Sequence, residues 1–454
     1  MSICDQDGML FTEGRLERFL RVEGESDLFS WQVKGLPMWE LNRFPIFQVY
    51  NSQYVKSAVS GVTTRFWFQG VLNLFKVLFL VFKVPKGAVI VFPHDRLTKE
   101  KVARDLYSVD LCRRNREVNY VILVKKGRSL VHENLIYLNV RQVFGLLRLV
   151  GLIAGRVFKV FGVLDEKIDK IVDSLDGIDK THINKLLYDN LVYALLLKSL
   201  FSFVFKRWGV SKLIEVVYYR LEVQVANVIS KKLDIPIVEL QHGTIGKTHV
   251  AYNIDWGGCK TVPDFFLSWG RFWSLRFNIH KVETVDIGYS ELDRYFSEAK
   301  NKEVTSSERL KVLVVSQNRL DILKLAIEIS QMCTEMDIIY RFHPKEVRTK
   351  DFPYGNLILQ KSSANLYEAI ELSSFIVGVS STVLVEALAF DKQVLVAKLS
   401  GYTSFIDLIE SGVFLSFNNV ESFHNELQVY NRSDSFRSSD YFTKVNYEFI
   451  KNYV

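Results

Sequence analysis

Two histidines stand in a short polar stretch, "QHGTIGKTHV", which directly follows the apolar run "IPIVEL". His242 comes two residues after the strand that this run predicts, and His249 follows Lys247 closely. An imidazole, whose ordinary pKa is about 6.5, can take up or release a proton at neutral pH. Gly243 allows the tight backbone turn that such a loop needs. We therefore predict a catalytic base here, with His242 as the first candidate.

Other polar side chains near these histidines widen the first candidate site. Glu239 and Asp95 are alternative bases, because each lies in or just after an apolar run, and the sequence does not rank the three. A second interpretation of His242 is that it orders the loop or contacts a phosphate. Lysine and histidine side chains suit an acidic or phosphorylated partner. The candidates for binding an acceptor are Gln241, Gly243, Lys247 and His249.

A second candidate site begins in "YRFHPKE", where an apolar run ends in a cluster of basic residues. Pro344 lacks an amide hydrogen and cannot continue a central strand, so a loop must start near it. Arg341, His343 and Lys345 therefore lie together on this loop. They suit a phosphate group, because arginine and lysine supply charge and histidine donates a directed hydrogen bond. The alternative is a strand-end histidine that satisfies backbone groups.

Hydroxyl side chains open a predicted helix in "GVSSTVLVEALAF". Ser380, Ser381 and Thr382 occupy the positions where hydroxyls cap free amides, and a helix N-terminus favours phosphate. Glu386 follows about one turn later, where a carboxylate can accept both hydroxyls of a ribose. The alternative is an ordinary helix cap followed by a surface glutamate. Together with the His-Pro loop, this pattern predicts a nucleotide-phosphate pocket without a GxGxxG motif.

The elements that position this pocket are short apolar strands alternating with helices over residues 286–435. Such alternation predicts a parallel sheet covered on both faces, a doubly wound domain. Ser316 and Gln317 follow its first strand and are weaker contributors to the pocket. The predicted strands are 311–316, 337–342, 356–360, 375–379 and 393–397; the helices are 319–333, 363–373 and 380–390.

A second set of apolar runs, over residues 1–285, predicts another doubly wound, Rossmann-like α/β domain. Residues 436–454 are predicted to form a helix that packs back on this first domain. Two such domains bind ligands in a central cleft between the C-terminal ends of their strands. The predicted strands are 87–92, 119–126, 134–140, 212–219, 235–240 and 264–270, with a helix at 219–233.

Basic residues are inserted into apolar helical stretches of the first domain. In "RQVFGLLRLVGLIAGRVFKVFG" a helical period brings Arg141, Arg148, Arg156 and Lys159 to one face. Residues 71–86 and 195–208 have a similar pattern, and none has the roughly 18 uncharged residues of a spanning helix. A basic amphipathic helix can lie in a membrane interface and attract anionic lipid. The alternative is a core helix whose long basic side chains reach solvent.

The amino-acid composition, cysteine count and net charge exclude several classes of protein. Of the 454 residues 48% are apolar and 24% charged, as in a globular protein. The four cysteines show no ligand spacing, which argues against a disulfide framework or a zinc site. The net charge of +7 is not gathered in aromatic-studded basic runs, so we expect no nucleic-acid partner. The N-terminus lacks the pattern of a secretory signal, and a cytoplasmic location is expected.

The "HP" loop, the hydroxyl-rich helix start and the "HG" loop together resemble those of GT-B glycosyltransferases of bacterial surface polysaccharides. The likeness spans residues 212–417 and is closest to capsule and O-antigen enzymes that use CMP-activated sugars and to CDP-glycerol glycerophosphotransferases. It implies that the "HG" histidine, His242 here, is an essential site residue. This chain reads "HGTIGK" instead of "HGTP", so the acceptor chemistry is not inherited. The residues that would hold the donor nucleotide are His343, Pro344, Ser380, Ser381 and Thr382.

The resemblance implies a transferase that moves a sugar from a nucleotide-activated donor, a CMP-sugar by preference, to a lipid-linked or growing surface polysaccharide. We expect it to be peripheral on the inner face of the cell membrane and to need no cofactor. No metal is expected, since the early "DQD" follows no strand and does not form the usual metal-holding motif. The alternatives are a sugar-nucleotide epimerase of the same fold and a non-catalytic partner in a polysaccharide assembly complex.

Overall fold

Two large sheets organise the chain, one in each predicted domain. The computed structural model describes residues 13–51, 79, 81–95, 104–127, 129–160, 164–175, 177–254, 258–275, 282–299, 309–346, 353–429 and 437–454. The strands are β1 (Gln32–Val33), β2 (Leu36–Pro37), β3 (Val89–Phe92), β4 (Tyr120–Val124), β5 (Leu130–His132), β6 (Leu135–Asn139), β7 (Lys212–Glu215), β8 (Ile237–Leu240), β9 (Phe265–Ser268), β10 (Glu283–Asp286), β11 (Lys311–Val315), β12 (Asp337–Arg341), β13 (Ile358–Gln360), β14 (Phe375–Gly378), β15 (Gln393–Ala397) and β16 (Leu415–Phe417).

Helices separate most of these strands, as a parallel sheet requires. The α-helices are α1 (Glu13–Glu25), α2 (Met38–Asn51), α3 (Val109–Arg114), α4 (Arg141–Val160), α5 (Asp165–Ser174), α6 (Lys180–Trp208), α7 (Leu221–Lys232), α8 (Arg271–Ser274), α9 (Ser290–Ala299), α10 (Leu320–Met332), α11 (Leu366–Glu371), α12 (Thr382–Glu386), α13 (Ile406–Glu410), α14 (Val420–Val429), α15 (Ser438–Tyr441) and α16 (Tyr447–Ile450). Two 3-10 turns, Ala387–Phe390 and Tyr402–Phe405, complete the set.

The first sheet has eight strands in the order β10-β9-β8-β7-β3-β4-β6-β5. All neighbours are parallel except β5 and β6, which pair antiparallel. The chain starts near the middle, at β3, and extends to β4 on one side and to β7 on the other. The strand order therefore reverses between β3 and β7, and such a switch point opens a crevice at the C-terminal ends of the strands.

The second sheet has six parallel strands in the order β13-β12-β11-β14-β15-β16. Its chain also starts in the middle, so the switch point lies between β11 and β14. Most side chains of the central strands are buried, as in a sheet covered on both faces. The predicted pair of doubly wound α/β domains is confirmed. The sequence pattern did not predict β5, β16 or the β1–β2 pair, which are short strands of two or three residues.

The last strand of the first sheet, β10, ends at Asp286, and the first strand of the second sheet, β11, begins at Lys311. The C-terminal segment contains two short helices, α15 and α16, instead of the single predicted helix. It packs on the first domain: the Trp273 indole donates to the Tyr441 carbonyl at 2.8 Å. The approach is tightest at Gly288, where an added Cβ would lie 2.1 Å from the Thr443 oxygen.

Helix α4 confirms the amphipathic insertion predicted over residues 141–162 and packs along α6. Gly151 and Gly155 make this contact close, because a Cβ at either position would lie 3.1 Å from backbone atoms of Tyr193 or Tyr188. By length and composition α6 is the one described helix that could span a membrane, yet 56% of its most apolar window is buried. Most of the predicted segment 71–86, and the "DQD" stretch, lie outside the described residues.

Candidate functional site

The loop after β8 carries the histidine of the first candidate site. Gln241 is 2% exposed, and its amide is used at both ends: it donates to the Gly243 carbonyl at 2.9 Å and accepts the Trp269 amide at 2.8 Å. These two bonds fix the turn that leads into His242. The prediction that Gln241 binds an acceptor is therefore corrected, because its polar atoms order the loop.

His242 lies among aromatic rings contributed by several loops of the first domain. Its ring centroid is 5.7 Å from that of His94, 6.1 Å from that of Tyr219, and 6.3 Å from those of Tyr107 and Tyr252. The Tyr219 hydroxyl is 3.3 Å from Nε2 of His242, and the direction of this hydrogen bond depends on the imidazole tautomer. The imidazole is thus positioned by its surroundings, as a general base requires.

The switch point between β3 and β7 brings in residues that the sequence had not singled out. Arg220, just after β7, pairs with Asp95 at 3.3 Å and donates to the Pro93 carbonyl at 3.2 Å. The Asp105 carboxylate accepts the His94 amide at 3.1 Å and so fixes the same loop. Asp95, a predicted alternative base, is an exposed ion-pair partner here. The signal in the sequence was a cluster of charged and aromatic residues soon after each of the two strands, "PHD" after β3 and "YYR" after β7.

Glu239 does not open on the cleft. Its side chain is fully buried in β8, where it accepts the Tyr252 hydroxyl at 2.6 Å and the Tyr218 amide at 3.3 Å. Glu215 lies directly across on β7 and is equally buried. Burial raises the pKa of Glu239 to about 8, so this carboxyl holds its proton at neutral pH. A protonated, enclosed carboxyl cannot take a proton from an acceptor, and the prediction of Glu239 as a base is corrected.

Lys247 reaches the second domain instead of an acceptor. Its amide donates to the Asp407 carboxylate at 3.0 Å, and its ammonium group lies 3.3 Å from Asp407 and 3.2 Å from Glu410. Gly246 permits this approach, since a Cβ there would lie 3.0 Å from an Asp407 oxygen. The predicted acceptor contact is corrected to an ion pair that joins the two domains.

His249 packs inside the first domain. Its ring centroid is 4.8 Å from that of Tyr252, 5.5 Å from that of Tyr219 and 6.5 Å from that of Phe44. Three aromatic neighbours and an amide bonded to the Gly246 carbonyl at 3.0 Å indicate a positioning role for this histidine. The predicted direct contact of His249 with an acceptor is not supported by this packing.

The N-terminal motif "GLPMWELNR" holds the same loop from the other side. Arg43 is buried and binds Glu23 through two nitrogens, at 2.5 and 2.7 Å. Its guanidinium also donates to the Val250 carbonyl and, at 2.9 Å, to the Asn253 carbonyl. Because both carbonyls belong to the loop that starts at His242, α2 fixes the far end of that loop.

In the second domain Gln317 and Ser380 meet across the switch point between β11 and β14. The Gln317 amide donates to the Ser380 hydroxyl at 2.8 Å, and its oxygen accepts the Ser380 amide at 3.1 Å. Ser381 caps α12, since its hydroxyl accepts the Val383 amide at 3.4 Å. The helix predicted over residues 380–390 is α-helical only from Thr382 to Glu386. The dipole of so short a helix is small, so a phosphate here would be bound mainly by side chains.

His343 lies on the loop after β12 and is largely buried. Its Nδ1 accepts the Lys345 amide at 3.2 Å, and its own amide donates to Glu346 at 3.1 Å. A neutral imidazole that accepts at Nδ1 carries its proton on Nε2, so the ring presents a hydrogen-bond donor. Pro344 and Lys345 are exposed, and both stay candidates for contacting a donor.

Two other residues that were predicted to bind the donor nucleotide are instead bonded to groups of the protein. The Arg341 guanidinium donates to Gln360 and to the Ala364 carbonyl, each at 2.7 Å, and so ties β12 to β13 and to the loop after it. The Ser316 hydroxyl is hydrogen-bonded to the Glu346 carboxylate and is nearly inaccessible. The predicted phosphate contact of Arg341 and the predicted donor contact of Ser316 are therefore corrected. Both side chains shape the loops on which other residues are presented.

Glu386 lies one turn into α12, as the sequence predicts, and is 8% exposed. Its carboxylate is hydrogen-bonded to the buried Tyr367 hydroxyl. This contact orients the carboxylate but uses part of its accepting capacity. The ribose contact of Glu386 stays a prediction.

The two candidate sites face each other. A Cβ added to Gly243, next to His242, would lie 3.9 Å from Cγ2 of Thr382. Within the second domain, a Cβ added to Gly401 would lie 3.6 Å from the Ser380 hydroxyl. The histidine loop of the first domain and the hydroxyl turn of the second thus meet between the strand ends of the two sheets. This arrangement can hold an anion on one side and take up a proton on the other.

Comparisons with known proteins add a likeness of fold. The sequence matches no protein-family model and no curated protein. A putative UDP-N-acetylglucosamine 2-epimerase from Listeria monocytogenes is 10% identical, with 81% of this chain and 94% of that chain covered and a TM-score of 0.46. A spinosyn rhamnosyltransferase is 11% identical, with 75% and 92% covered and a TM-score of 0.43. The wall teichoic acid polymerase TagF is 11% identical, with 86% and 97% covered and a TM-score of 0.42. At these values none of the likenesses assigns an activity to the chain.

Proposed function

We propose that this chain is a glycosyltransferase of the GT-B kind, which binds a nucleotide-activated sugar between its domains and transfers the sugar to an acceptor. The observation that carries the proposal is the meeting of the His242 loop with the Ser381–Thr382 turn at the strand ends of two doubly wound domains. Ligands bind at such switch points, and this one combines a candidate base with candidate phosphate ligands.

The residues of the two domains have different roles in this proposal. The imidazole of His343 and the hydroxyls of Ser381 and Thr382 donate hydrogen bonds to the donor phosphate, and Gln317 holds the turn through Ser380. His242 takes the proton of the acceptor hydroxyl as its oxygen bonds to the sugar carbon. The bond between sugar and phosphate breaks, and the nucleotide leaves with the electron pair. Hydrogen-bond donors fixed in advance stabilise this developing negative charge.

A cytidine nucleotide is the first choice for the donor, supported only by the resemblance of the motifs. We propose that no divalent metal bridges the phosphates, because the second domain offers the exposed ammonium group of Lys345 and several hydrogen-bond donors in its place. Turnover should then survive in EDTA. A complete loss that Mg²⁺ alone restores would contradict this part of the proposal.

A thermal-shift panel of CMP, CDP, UDP and GDP tests donor binding. A ligand that binds the native state at 100 times its dissociation constant stabilises it by about 2.7 kcal/mol. We expect one nucleotide to raise the melting temperature and the His343→Ala/Ser381→Ala double variant to lose that shift. If no nucleotide shifts the wild type, the chain is better described as a non-catalytic partner in a polysaccharide assembly complex.

A sugar-nucleotide epimerase is the second candidate, because it would use the same phosphate pocket. The two activities differ in their need for an acceptor. An epimerase converts its nucleotide sugar alone, whereas a transferase releases the nucleotide only as the sugar is transferred or slowly hydrolysed. Proton NMR of the nucleotide sugar during incubation separates them, and an accumulating stereoisomer would overturn the transferase proposal.

We further propose a lipid-linked or growing surface polysaccharide as acceptor and a peripheral position on the inner face of the cell membrane. Helix α4 supports this, because its apolar stripe is turned to solvent while Gly151 and Gly155 face α6. The side chains of the stripe are 38–60% exposed, and the exposed Arg156 on the adjoining sector matches anionic headgroups. The stripe consists of Leu146, Leu149, Val150, Ile153 and Val157.

Vesicle sedimentation tests this surface. We expect the protein to pellet with vesicles that contain phosphatidylglycerol and much less with phosphatidylcholine alone, since basic residues near an anionic surface contribute about 1 kcal/mol each. Ile153→Asp with Val157→Asp should abolish pelleting. Ile358→Asp is the matched control, because Ile358 is also an exposed apolar residue but lies in the second domain. Equal pelleting of all three proteins would contradict the membrane proposal.

A further inference from the structure

A group of metal-ligating side chains lies in the second domain, away from the cleft. Cys333, Glu335 and His424 each offer one ligand atom, and these atoms all lie within 4.8 Å of one another. Within the described ranges this is the one group of three such residues. Cys333 and Glu335 are two residues apart, but His424 lies far along the sequence and only one ligand is a cysteine, which explains why cysteine spacing gave no sign of it.

Packed elements hold these residues in place. Cys333 directly follows α10 and donates its amide to the Ile329 carbonyl at 2.9 Å, while its own carbonyl accepts the Met336 amide at 3.2 Å. This turn brings Glu335 back over the end of the helix. His424 lies on α14 next to the fully buried Phe423. The backbone on both sides is therefore anchored in the core of the second domain.

The ligand set favours one kind of ion. Thiolate, imidazole and carboxylate are all common zinc ligands, whereas calcium and magnesium prefer oxygen alone. Three protein ligands leave the fourth tetrahedral position to a water molecule. We propose that Cys333, Glu335 and His424 bind a zinc ion that ties the end of α10 to α14. On binding, the thiol releases its proton to solvent and the thiolate sulfur bonds to the ion.

The position of this group separates it from the proposed donor site. Helix α10 starts beside the Gln317 loop at the cleft and ends at Cys333. Its 13 residues span about 20 Å, at about 1.5 Å per residue, so the ion lies a helix length from the donor site. Zinc here would stabilise the second domain without touching a nucleotide. The proposal therefore stands apart from the proposed transferase activity and from the expectation of a metal-free donor site.

Cobalt and zinc titrations of the untagged, metal-stripped protein test the proposal. We expect one equivalent of Co²⁺ to give a thiolate-to-cobalt charge-transfer band, Zn²⁺ to displace it, and zinc to raise the melting temperature. Cys333→Ser should abolish the band. His424→Ala should weaken zinc binding by more than about 100-fold, because outer-shell partners alone are worth 10–100-fold.

The control is Cys259→Ser, which removes another buried cysteine far along the chain and should leave the band intact. If Cys333→Ser does not fold, Glu335→Gln replaces it, because Glu335 is exposed and its change is tolerated more easily. That variant should keep the band and bind zinc more weakly. Absence of the band in the wild type, or an equal band in Cys333→Ser, would overturn the proposal.

Discussion

The two switch points of the molecule share a topology and differ in chemistry. In the first domain Arg220 bridges the two strand ends through an ion pair with Asp95. In the second domain Gln317 and Ser380 bridge them through two neutral hydrogen bonds. Histidine and tyrosine rings surround the first crevice, and hydroxyls with one imidazole surround the second. The same fold thus separates groups suited to proton transfer from groups suited to binding an anion.

The two regions also differ in how their loops are held. The His242 loop is fixed by Gln241 at its start and by Arg43 near its end, both through buried contacts. The hydroxyl turn at Ser380–Thr382, called the donor turn below, is held mainly by Gln317 and by the cap of the five-residue helix α12. We infer that the histidine is pre-positioned, whereas the donor turn depends more on the ligand itself. Substitutions in each region test this difference.

The largest effect is expected at His242. If it is the base, His242→Ala should lower turnover by about 10²–10⁴, the usual worth of a positioned acid–base group. Nucleotide affinity should hardly change, because in the proposed function the second domain holds the nucleotide. Steady-state kinetics and calorimetry on the same variant measure both quantities. The rate should also lose the limb that rises near the ordinary imidazole pKa of about 6.5.

His242→Gln separates the base from a phosphate ligand. Glutamine donates a hydrogen bond but cannot take a proton at neutral pH, so partial rescue by His242→Gln would count against the base. A raised donor dissociation constant in His242→Ala would assign the residue to phosphate. If full turnover survives, His94 is the next candidate, since its ring is 5.7 Å from His242, and Asp95 follows.

A smaller effect is expected in the second domain. His343→Ala and Ser381→Ala should each remove one hydrogen bond to the donor, worth roughly 1–3 kcal/mol or about 5- to 150-fold in affinity. Isothermal titration with the nucleotide identified in the thermal-shift panel measures it. Asn365→Ala is the matched control for Ser381, because Asn365 also caps a helix of this domain. Unchanged affinity in both site variants would move the pocket elsewhere.

How much of the fold the sequence predicts depends on burial. Strands such as β11 and β14 are continuous apolar runs between helices, and this pattern alone predicts a covered parallel sheet. The edge strand β5 has a mixed sequence, "LVH", and gave no such signal. The sequence predicted one helix for the C-terminal segment, where the structure has two short ones. The segment contacts Trp273 and Gly288, which lie far away in the sequence, and a local pattern does not reveal such contacts.

The site shows the same limit in another form. The sequence predicted that His343 and Ser381 lie at strand ends, because each motif directly follows an apolar run that forms a strand. The sequence did not predict which polar side chains form hydrogen bonds or ion pairs within the protein. Glu239 was a candidate base by type, Arg341 and Lys247 were candidate ligands, and each is bonded to other residues of the protein. Only the tertiary structure shows whether a polar side chain faces a ligand or satisfies the protein.

The corrected role of Glu239 leads to a prediction about pH. Its folded-state pKa of about 8 lies above the ordinary value of 4.5, so protonation favours the native state. That contribution is fully present below about pH 4.5 and is lost as the pH rises to about 8, at about 1.4 kcal/mol for each unit of pKa difference. Glu239→Gln keeps a neutral accepting oxygen and has no proton to lose.

Urea unfolding of both proteins between about pH 5 and about pH 9 measures this linkage. The wild type should lose stability relative to Glu239→Gln as the pH rises. Parallel curves would show that Glu239 is ionised in the native state, and it would then return as a candidate base. Glu215→Gln should give a change of the same sign, because burial and the neighbouring Glu239 also raise the pKa of Glu215.

The smallest effect is expected at Lys247, where the two regions touch. Its ammonium group is largely exposed, and exposed ion pairs are worth about 0.2–1 kcal/mol. A double-mutant cycle of Lys247→Met and Glu410→Gln should therefore give a coupling energy in that range, which falls as salt rises. Nucleotide affinity and turnover should change less than about fivefold, because under 1 kcal/mol is involved. A large rise in the acceptor KM without coupling to Glu410 would instead restore Lys247 as an acceptor ligand.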